Sequence, residues 1–253
     1  MLGPIQLLKS SWQLYIANFN LFLGMGLFGQ LLSALVEILW LPALPLFTEK
    51  YIGDQFNQVN FARLGFGLLF LVFAVVGLLV IEAIRAIALI IAIDRVCRHQ
   101  SIGVLESFRS GLSRLWVYLW TNILVGLMTI IGLILLVVPG IYLWISFSFV
   151  SYLIILENQK GVQAIKLSRE MVKGYWWKIF VRILFSICLL LILSASQYLV
   201  WFVLSFTDQV LIDFAIELLF AIVFLPIFIA YGYFLYQETK KLQLSNHVIS
   251  RLP

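Results

Sequence analysis

The chain has 253 residues, of which 63% are hydrophobic and 11% are charged, and it carries a formal net charge of +5. Soluble domains have about a quarter charged residues and at most about half apolar residues, so this composition excludes an ordinary soluble domain. The apolar residues also come in blocks, and a helix needs about 20 of them to cross a bilayer. The composition therefore predicts an all-α integral membrane protein.

Six apolar stretches follow one another along the chain. They cover approximately residues 20–47, 64–93, 117–138, 141–156, 179–204 and 211–237. Thirteen of the seventeen Lys and Arg residues lie before the first stretch, between the second and third, between the fourth and fifth, or after the sixth. Cytoplasmic loops near membrane spans are enriched in Lys and Arg. The alternation predicts one polytopic domain, residues 1–253, in the cytoplasmic (inner) membrane, with six spans and both termini in the cytoplasm.

A short amphipathic segment precedes each odd-numbered span, at approximately residues 3–18, 101–116 and 159–174. Each contains a Gly followed seven residues later by a Ser, and the pairs are Gly3 and Ser10, Gly103 and Ser110, and Gly161 and Ser168. Apolar residues at three- and four-residue spacing lie on one helical face, so such a helix can lie in the membrane interface. The recurrence predicts three units, each an interfacial helix followed by a transmembrane hairpin. The alternative is that two common residues recur at this spacing by chance.

The third and fourth stretches are joined by Pro139 and Gly140. As one continuous helix, residues 119–156 would be about 57 Å long, whereas the hydrocarbon core is roughly 30 Å thick. Pro ends a helix by removing a hydrogen-bond donor, and Gly permits a sharp turn. A kink would leave the flanking basic clusters on opposite sides of the membrane, whereas a hairpin keeps both inside. The sequence therefore predicts a tight hairpin at Pro139 and Gly140.

The segment around this hairpin, residues 135–179, also resembles a known group of proteins. The residues that carry the resemblance are Pro139, Gly140, Glu157, Gly161, Ala164, Ser168, Gly174 and Trp177. The group is a broad set of polytopic bacterial and archaeal membrane proteins. It includes the YciC-like inner-membrane proteins and the membrane domain fused to some glycerophosphodiester phosphodiesterases. The resemblance implies a membrane fold but little function, because the group is defined by shape. In the fusions the phosphodiesterase chemistry belongs to a separate soluble barrel, for which this chain has no room.

Five ionisable residues interrupt the apolar stretches, namely Glu37, Glu82, Arg85, Arg182 and Glu217. A charge at membrane depth costs at least about 2.5–3.5 kcal/mol, which makes each a functional candidate. Glu82 and Arg85 are three residues apart on one helical face, so they could form an internal ion pair, a gate or a proton site. The interpretation that the sequence favours is that Arg85 extends to the interface from the end of an overlong helix and simply pairs with Glu82. Arg182 is expected to be an inner-interface anchor.

Enzyme motifs are missing from the sequence. It contains no HExxH, no GxSxG and no glycine-rich phosphate loop, and neither His has metal-ligand partners at useful spacing. We therefore predict no catalytic residue, no metal and no cofactor. The basic residues border spans, so anionic headgroups rather than nucleic acid are the expected counter-charge.

The sequence favours a non-enzymatic membrane scaffold or accessory subunit that contacts anionic lipid at the inner leaflet. The rival interpretation is a transporter or lipid-handling protein, and a third is an intramembrane enzyme. A protein partner and a homo-oligomer both remain open at this point.

Overall fold

The computed structural model describes residues 1–40, 61–204 and 218–249, and over these ranges every regular element is helical. Six helical segments are long and apolar enough to cross a membrane. They are Phe19–Val36, Gly67–Cys97, Leu115–Leu135, Val137–Glu157, Trp176–Ser196 and Phe220–Ser245. By helix length and hydropathy the chain is a multi-pass membrane protein, and the prediction of six apolar spans is confirmed at this level.

The helices alternate between short and long elements. In chain order they are α1 (Pro4–Ala17), α2 (Phe19–Trp40), α3 (Phe61–Cys97), α4 (Val104–Leu112), α5 (Leu115–Leu135), α6 (Val137–Ser146), α7 (Val150–Glu157), α8 (Gly161–Val172), α9 (Trp176–Leu204) and α10 (Leu225–Ile249). A π-helical turn, Phe220–Phe224, leads into α10. The short helices α1, α4 and α8 each lead into a long apolar helix after a link of at most three residues, because they end at Ala17, Leu112 and Val172.

The described spans differ from the predicted ones mainly at their ends. The helix of the second span runs four residues beyond the predicted limit of residue 93, to Cys97. Charged residues such as Asp94 and Arg95 do not end it, because their side chains lie near its exposed end, where they reach polar partners or solvent. Residues 41–47 of the first predicted span and 211–217 of the sixth lie outside the described residues.

The turn between the third and fourth spans lies at Leu136, not at Pro139 and Gly140 as the sequence predicted. Leu136 is extended, with φ −163° and ψ 145°, and α6 begins at the next residue. Pro139 is the third residue of α6, where its missing N–H would have no partner within the helix in any case. A Cβ on Gly140 would lie 2.8 Å from the Cα of Leu133. The Pro-Gly pair therefore starts the returning helix and allows it to pack closely against α5.

The fourth and sixth spans form the centre of the bundle. Half of the 18-residue apolar window of each is buried, against 33% for the first span and 11% for the second, third and fifth. The second span is buried in its carboxyl-terminal part, between Ala83 and Ile93. Helix α10 belongs to two hydrophobic clusters, because Tyr231 and Tyr236 pack with α6–α9 while Tyr233 packs with α2, α3 and α4. The third and fifth spans, together with the amino-terminal part of the second, thus form the exposed apolar outside of the described bundle.

The three short helices lie at one end of the bundle, which we call the basic end. Helix α4 lies between the end of α3 and the start of α5, and α8 lies between the end of α7 and the start of α9. Helix α1 packs against α10, whose carboxyl-terminal part also contacts α8. The Lys and Arg residues of α1, α4 and α8 consequently share this end.

Candidate functional site

Tyrosine hydroxyls on α10 connect the last span to the second, fourth and fifth spans. The Tyr233 hydroxyl donates to Asp94 Oδ1 on α3 at 3.0 Å. The Tyr236 hydroxyl donates to Glu157 Oε1, at the last residue of α7. The Tyr231 hydroxyl donates to the carbonyl of Arg182 on α9 at 2.9 Å. These bonds fix the positions of α3, α7 and α9 along the axis of α10. Sequence analysis missed them, although three Tyr within six residues of an apolar span were a visible signal.

Glu157 is the residue at which the resemblance places an acidic group at the end of a span. Its Oε1 also accepts a hydrogen bond from Lys240 Nζ at 2.6 Å. The side chain of Glu157 is 26% exposed and that of Lys240 is 40% exposed, so this ion pair is partly screened by solvent. In the structure Glu157 thus ties the end of α7 to two successive turns of α10.

The beginning of the chain is held between α9 and α10. The Leu2 N–H donates to Glu238 on α10 at 2.9 Å. The guanidinium of Arg182 donates to the carbonyl of Leu2 at 2.6 Å and to that of Lys178 at 2.6 Å. Arg182, predicted to be an interface anchor, therefore binds backbone carbonyls of α9 and of the residues that precede α1.

The exposed faces of the short helices repeat one pattern. Counted from the residue before each helix, the second position is apolar and the sixth is basic. These residues are Ile5 and Lys9 in α1, Leu105 and Arg109 in α4, and Val162 and Lys166 in α8, and all six are exposed. The eighth position is small and buried in every case: Ser11, Gly111 and Ser168. Each short helix thus packs against the bundle through a small residue and turns an apolar-basic pair outward.

This repeat differs from the Gly-to-Ser spacing that the sequence suggested. Gly3 and Gly103 are the N-cap residues of α1 and α4, whereas Gly161 is the first residue inside α8. Consequently Ser168 is fully buried, while Ser10 and Ser110 are half-buried. The first two pairs correspond to one another structurally, and the third is shifted by one residue.

Ser168 completes the hydrogen bonding of a break in the fourth span. Helix α6 ends at Ser146 and α7 begins at Val150, which leaves backbone groups between them without the usual helical partners. The Ser168 hydroxyl donates to the carbonyl of Ser146 at 2.8 Å and accepts from the N–H of Phe149 at 3.3 Å. A side chain of α8 therefore stabilises the broken path of α6 and α7.

Two glycines of the resemblance lie at the ends of α8 in backbone conformations that favour glycine. Gly161 has φ +50° and Gly174 has φ +86°. Positive φ is costly for residues with a Cβ, so a side chain at either position would strain the backbone. These glycines permit the turns by which the chain enters and leaves α8.

Glu82 and Arg85 form an ion pair on α3, with 2.6 Å between Glu82 Oε1 and Arg85 Nη1. Arg85 is 6% exposed, whereas the Glu82 side chain is 53% exposed. A Cβ on Gly29 of α2 would lie 2.7 Å from Arg85 Cδ. The stem of Arg85 therefore occupies the space that Gly29 leaves, between α2 and α3. Arg85 is thus packed against α2, and its guanidinium reaches the half-exposed Glu82. Both interpretations of the sequence include this ion pair, and the depth of Arg85 in the membrane stays a prediction.

The other two intramembrane candidates, Glu37 and Glu217, lie at or beyond the limits of the described residues. Glu37 belongs to α2, but its side chain is outside the described part of the structure. Glu217 lies wholly outside the described residues.

A polar groove of about 580 Å³ opens at the basic end. Arg95 and Arg98 line it from the last turns of α3, and Ser110, Ser113 and Arg114 line it from the end of α4 and the start of α5. Asp94 accepts from Arg98 at 2.9 Å within this groove. A second cavity of about 360 Å³ is also lined by Asp94 and Arg98, together with Tyr233 and Lys241. The sequence predicted that these arginines lie on the cytoplasmic side. It did not predict that they line one groove, because they belong to separate elements.

Two further observations concern Tyr15 and possible metal ligands. Burial raises the pKa of the Tyr15 phenol on α1, whose oxygen has no hydrogen-bond partner within the described ranges. Over the same ranges no group of three or more His, Cys, Asp or Glu residues is arranged to hold a metal ion. The arrangement that remains is a set of basic side chains around a groove.

Comparison of the chain with protein-family models, with curated proteins and with solved structures gave no match. The resemblance of residues 135–179 to the YciC-like group therefore stays a prediction.

Proposed function

We propose that the chain is a non-enzymatic scaffold or accessory protein of the cytoplasmic membrane, built from three units of interfacial helix plus transmembrane hairpin. Both termini are on the cytoplasmic side, and the short helices contact anionic lipid of the inner leaflet. The observation that carries the proposal is the apolar-basic pair that α1, α4 and α8 each expose. An interfacial helix buries apolar side chains at the acyl boundary and directs basic ones to the headgroups.

Exposed aromatic rings at the basic end support this placement. Trp12 on α1, Trp116 at the start of α5 and Trp177 at the start of α9 are 46%, 78% and 71% exposed, respectively. Tryptophan is enriched at headgroup depth, where its apolar ring and polar N–H are both accommodated. Three exposed Trp residues beside the short helices therefore support a membrane interface at this end.

The lipid contact is tested with the full chain in bilayers that contain brominated lipids, which quench tryptophan fluorescence on contact. We expect brominated anionic lipid to displace neutral lipid from the protein more readily than brominated neutral lipid does. The triple variant Lys9→Gln, Arg109→Gln, Lys166→Gln should lower this preference, by about 1 kcal/mol for each charge removed. The control that keeps the charges, Lys9→Arg, Arg109→Lys, Lys166→Arg, should retain it. An unchanged preference in the Gln variant would count against the proposal.

The orientation has its own test. The variant Lys9→Cys, in a chain that also carries Cys97→Ser and Cys188→Ser, should react with a membrane-impermeant thiol reagent in inverted membrane vesicles but not in intact cells. Reaction in intact cells would invert the proposed topology.

A transporter or lipid-handling protein is the second candidate, and the buried Arg85 of the second span favours it. Ionisable groups at membrane depth often mark substrate or ion pathways. Native mass spectrometry of gently extracted protein separates the candidates. A co-purifying polypeptide with unselected lipid favours the scaffold, whereas one tightly retained small molecule favours transport.

A further inference from the structure

The groove at the basic end holds two arginines that the fold itself does not use. Arg98 is paired with Asp94 at 2.9 Å. Arg95 and Arg114 form no ion pair with any residue in the described ranges, and both are half-buried in the groove wall. Three arginines against one aspartate give this wall a formal charge of +2. Guanidinium groups held without a counter-charge favour an anionic ligand from outside the chain.

The residues that line the groove also suit a phosphate group. Ser110 and Ser113 also line the groove, and the Ser113 hydroxyl donates to the Ser110 carbonyl at 3.0 Å, which leaves its oxygen as an acceptor. Arg114 immediately precedes the first residue of α5. Hydroxyls, guanidiniums and the amino-terminal end of a long helix all suit phosphate oxygens. Ile155 and Leu156 provide an apolar base. A volume of about 580 Å³ is in the usual range for a small-ligand site, so a phosphate with an attached glycerol fits.

We propose that this groove is a binding site for a phosphate ester, with Arg95 and Arg114 as the residues that bind the phosphate oxygens. The ligand is the headgroup of an anionic phospholipid or a soluble phosphate ester of the same chemistry. Trp116, 78% exposed two residues after Arg114, places the groove at headgroup depth and favours the lipid. This site goes beyond the general lipid contact of the short helices, because it is a single groove between α3, α4 and α7.

The test uses the full chain, delipidated in a neutral detergent and titrated by native mass spectrometry with short-chain phosphatidic acid and with phosphatidylcholine. Phosphatidic acid should bind at least about tenfold more tightly. The double variant Arg95→Gln, Arg114→Gln should weaken its binding by about tenfold or more, since each guanidinium lost removes a charge-assisted hydrogen bond. Lys178→Gln, on α9 and outside both the groove and the short helices, should change binding less than about twofold.

Glycerol 3-phosphate and inorganic phosphate form the soluble arm of the experiment. If they compete with phosphatidic acid and depend on the same arginines, the site takes the phosphate group itself and the soluble source is supported. If only the lipid binds, the membrane source is supported. Equal binding of phosphatidic acid and phosphatidylcholine, or an equal loss in Lys178→Gln, would overturn the proposal.

Two further measurements keep the result interpretable. Should the Gln variant fail to fold, the variant Arg95→Lys, Arg114→Lys keeps both charges but loses the two-pronged guanidinium geometry, and should still weaken phosphatidic acid binding severalfold. The quenching experiment with brominated lipid reports on α1, α4 and α8 as a set. A failure of the groove therefore leaves that result intact, and a failure of the lipid contact leaves the groove measurable.

Discussion

Replacing Ser168 by Ala should destabilise the protein far more than the same change at Ser10 or Ser110. Ser168 is fully buried, and its hydroxyl serves the Ser146 carbonyl at 2.8 Å and the Phe149 N–H at 3.3 Å. The substitution removes one oxygen and leaves two buried backbone groups without a partner. A buried unsatisfied group costs about 1–3 kcal/mol, and the longer bond counts for less, so the expected loss is about 2–3 kcal/mol.

The magnitude is checked by equilibrium unfolding of the purified protein in mild detergent or bicelles. Ser110→Ala is the matched control, because Ser110 is half-buried and does not bridge two elements of the fold. Its free energy of unfolding should stay within about 0.5 kcal/mol of the wild type. Ser168→Cys keeps the size but offers a weaker donor and acceptor, so its loss should be intermediate.

Hydrogen exchange separates the bond from the packing. If Ser168 acts through the backbone of the break, the Phe149 amide should exchange faster in Ser168→Ala, while amides in α10 remain protected. A free energy of unfolding for Ser168→Ala within about 0.5 kcal/mol of the wild type, or equal to that of Ser110→Ala, would refute the reasoning.

The ion pairs Glu82–Arg85 and Glu157–Lys240 differ in how far they are exposed to solvent, so substitutions in them should change the free energy of unfolding differently. Glu82→Gln and Arg85→Gln should each lower the free energy of unfolding by about 1 kcal/mol or more, and the double variant should recover part of the loss, because a buried Arg85 without its carboxylate is the main penalty. Additive losses in a double-mutant cycle would rule out the coupling. Tyr236→Phe should cost about 1–2 kcal/mol at any salt concentration, because Tyr236 is 1% exposed where it donates to Glu157. Lys240→Gln should cost less than about 1 kcal/mol, and only at low salt, because the Lys240–Glu157 pair is partly solvated. Unfolding of both variants at low and high salt tests this difference. A loss in Tyr236→Phe that depends on salt would contradict it.

The features that the sequence predicted well are those encoded locally. Six apolar blocks and the basic residues between them follow from composition over windows of about twenty residues. The Glu82–Arg85 pair follows from a spacing of three residues on one helix, and the structure shows it at 2.6 Å. The amphipathic pattern of the short helices is likewise a property of a dozen consecutive residues.

The features that the sequence did not give depend on distant partners. The break between α6 and α7 contains neither Pro nor Gly, and it is stabilised by Ser168, 19 and 22 residues further along the chain. Tyr233 and Tyr236 bond to carboxylates 139 and 79 residues away. At the hairpin the error was of another kind. Pro is tolerated in the first turn of a helix, so Pro139 marked the start of α6 rather than the turn itself.

The position of Asp94 links the architecture to the proposed groove. One of its carboxylate oxygens accepts from Tyr233 of α10, and the other accepts from Arg98 in the groove wall. Apolar packing between spans is non-directional and allows helices to slide, whereas hydrogen bonds fix their relative depth. The bond to Tyr233 therefore sets the height of α3 and, with it, the height of Arg95 and Arg98. Because Tyr236 fixes α7 against the same helix through Glu157, α10 determines how the arginine wall and the apolar base of the groove face each other.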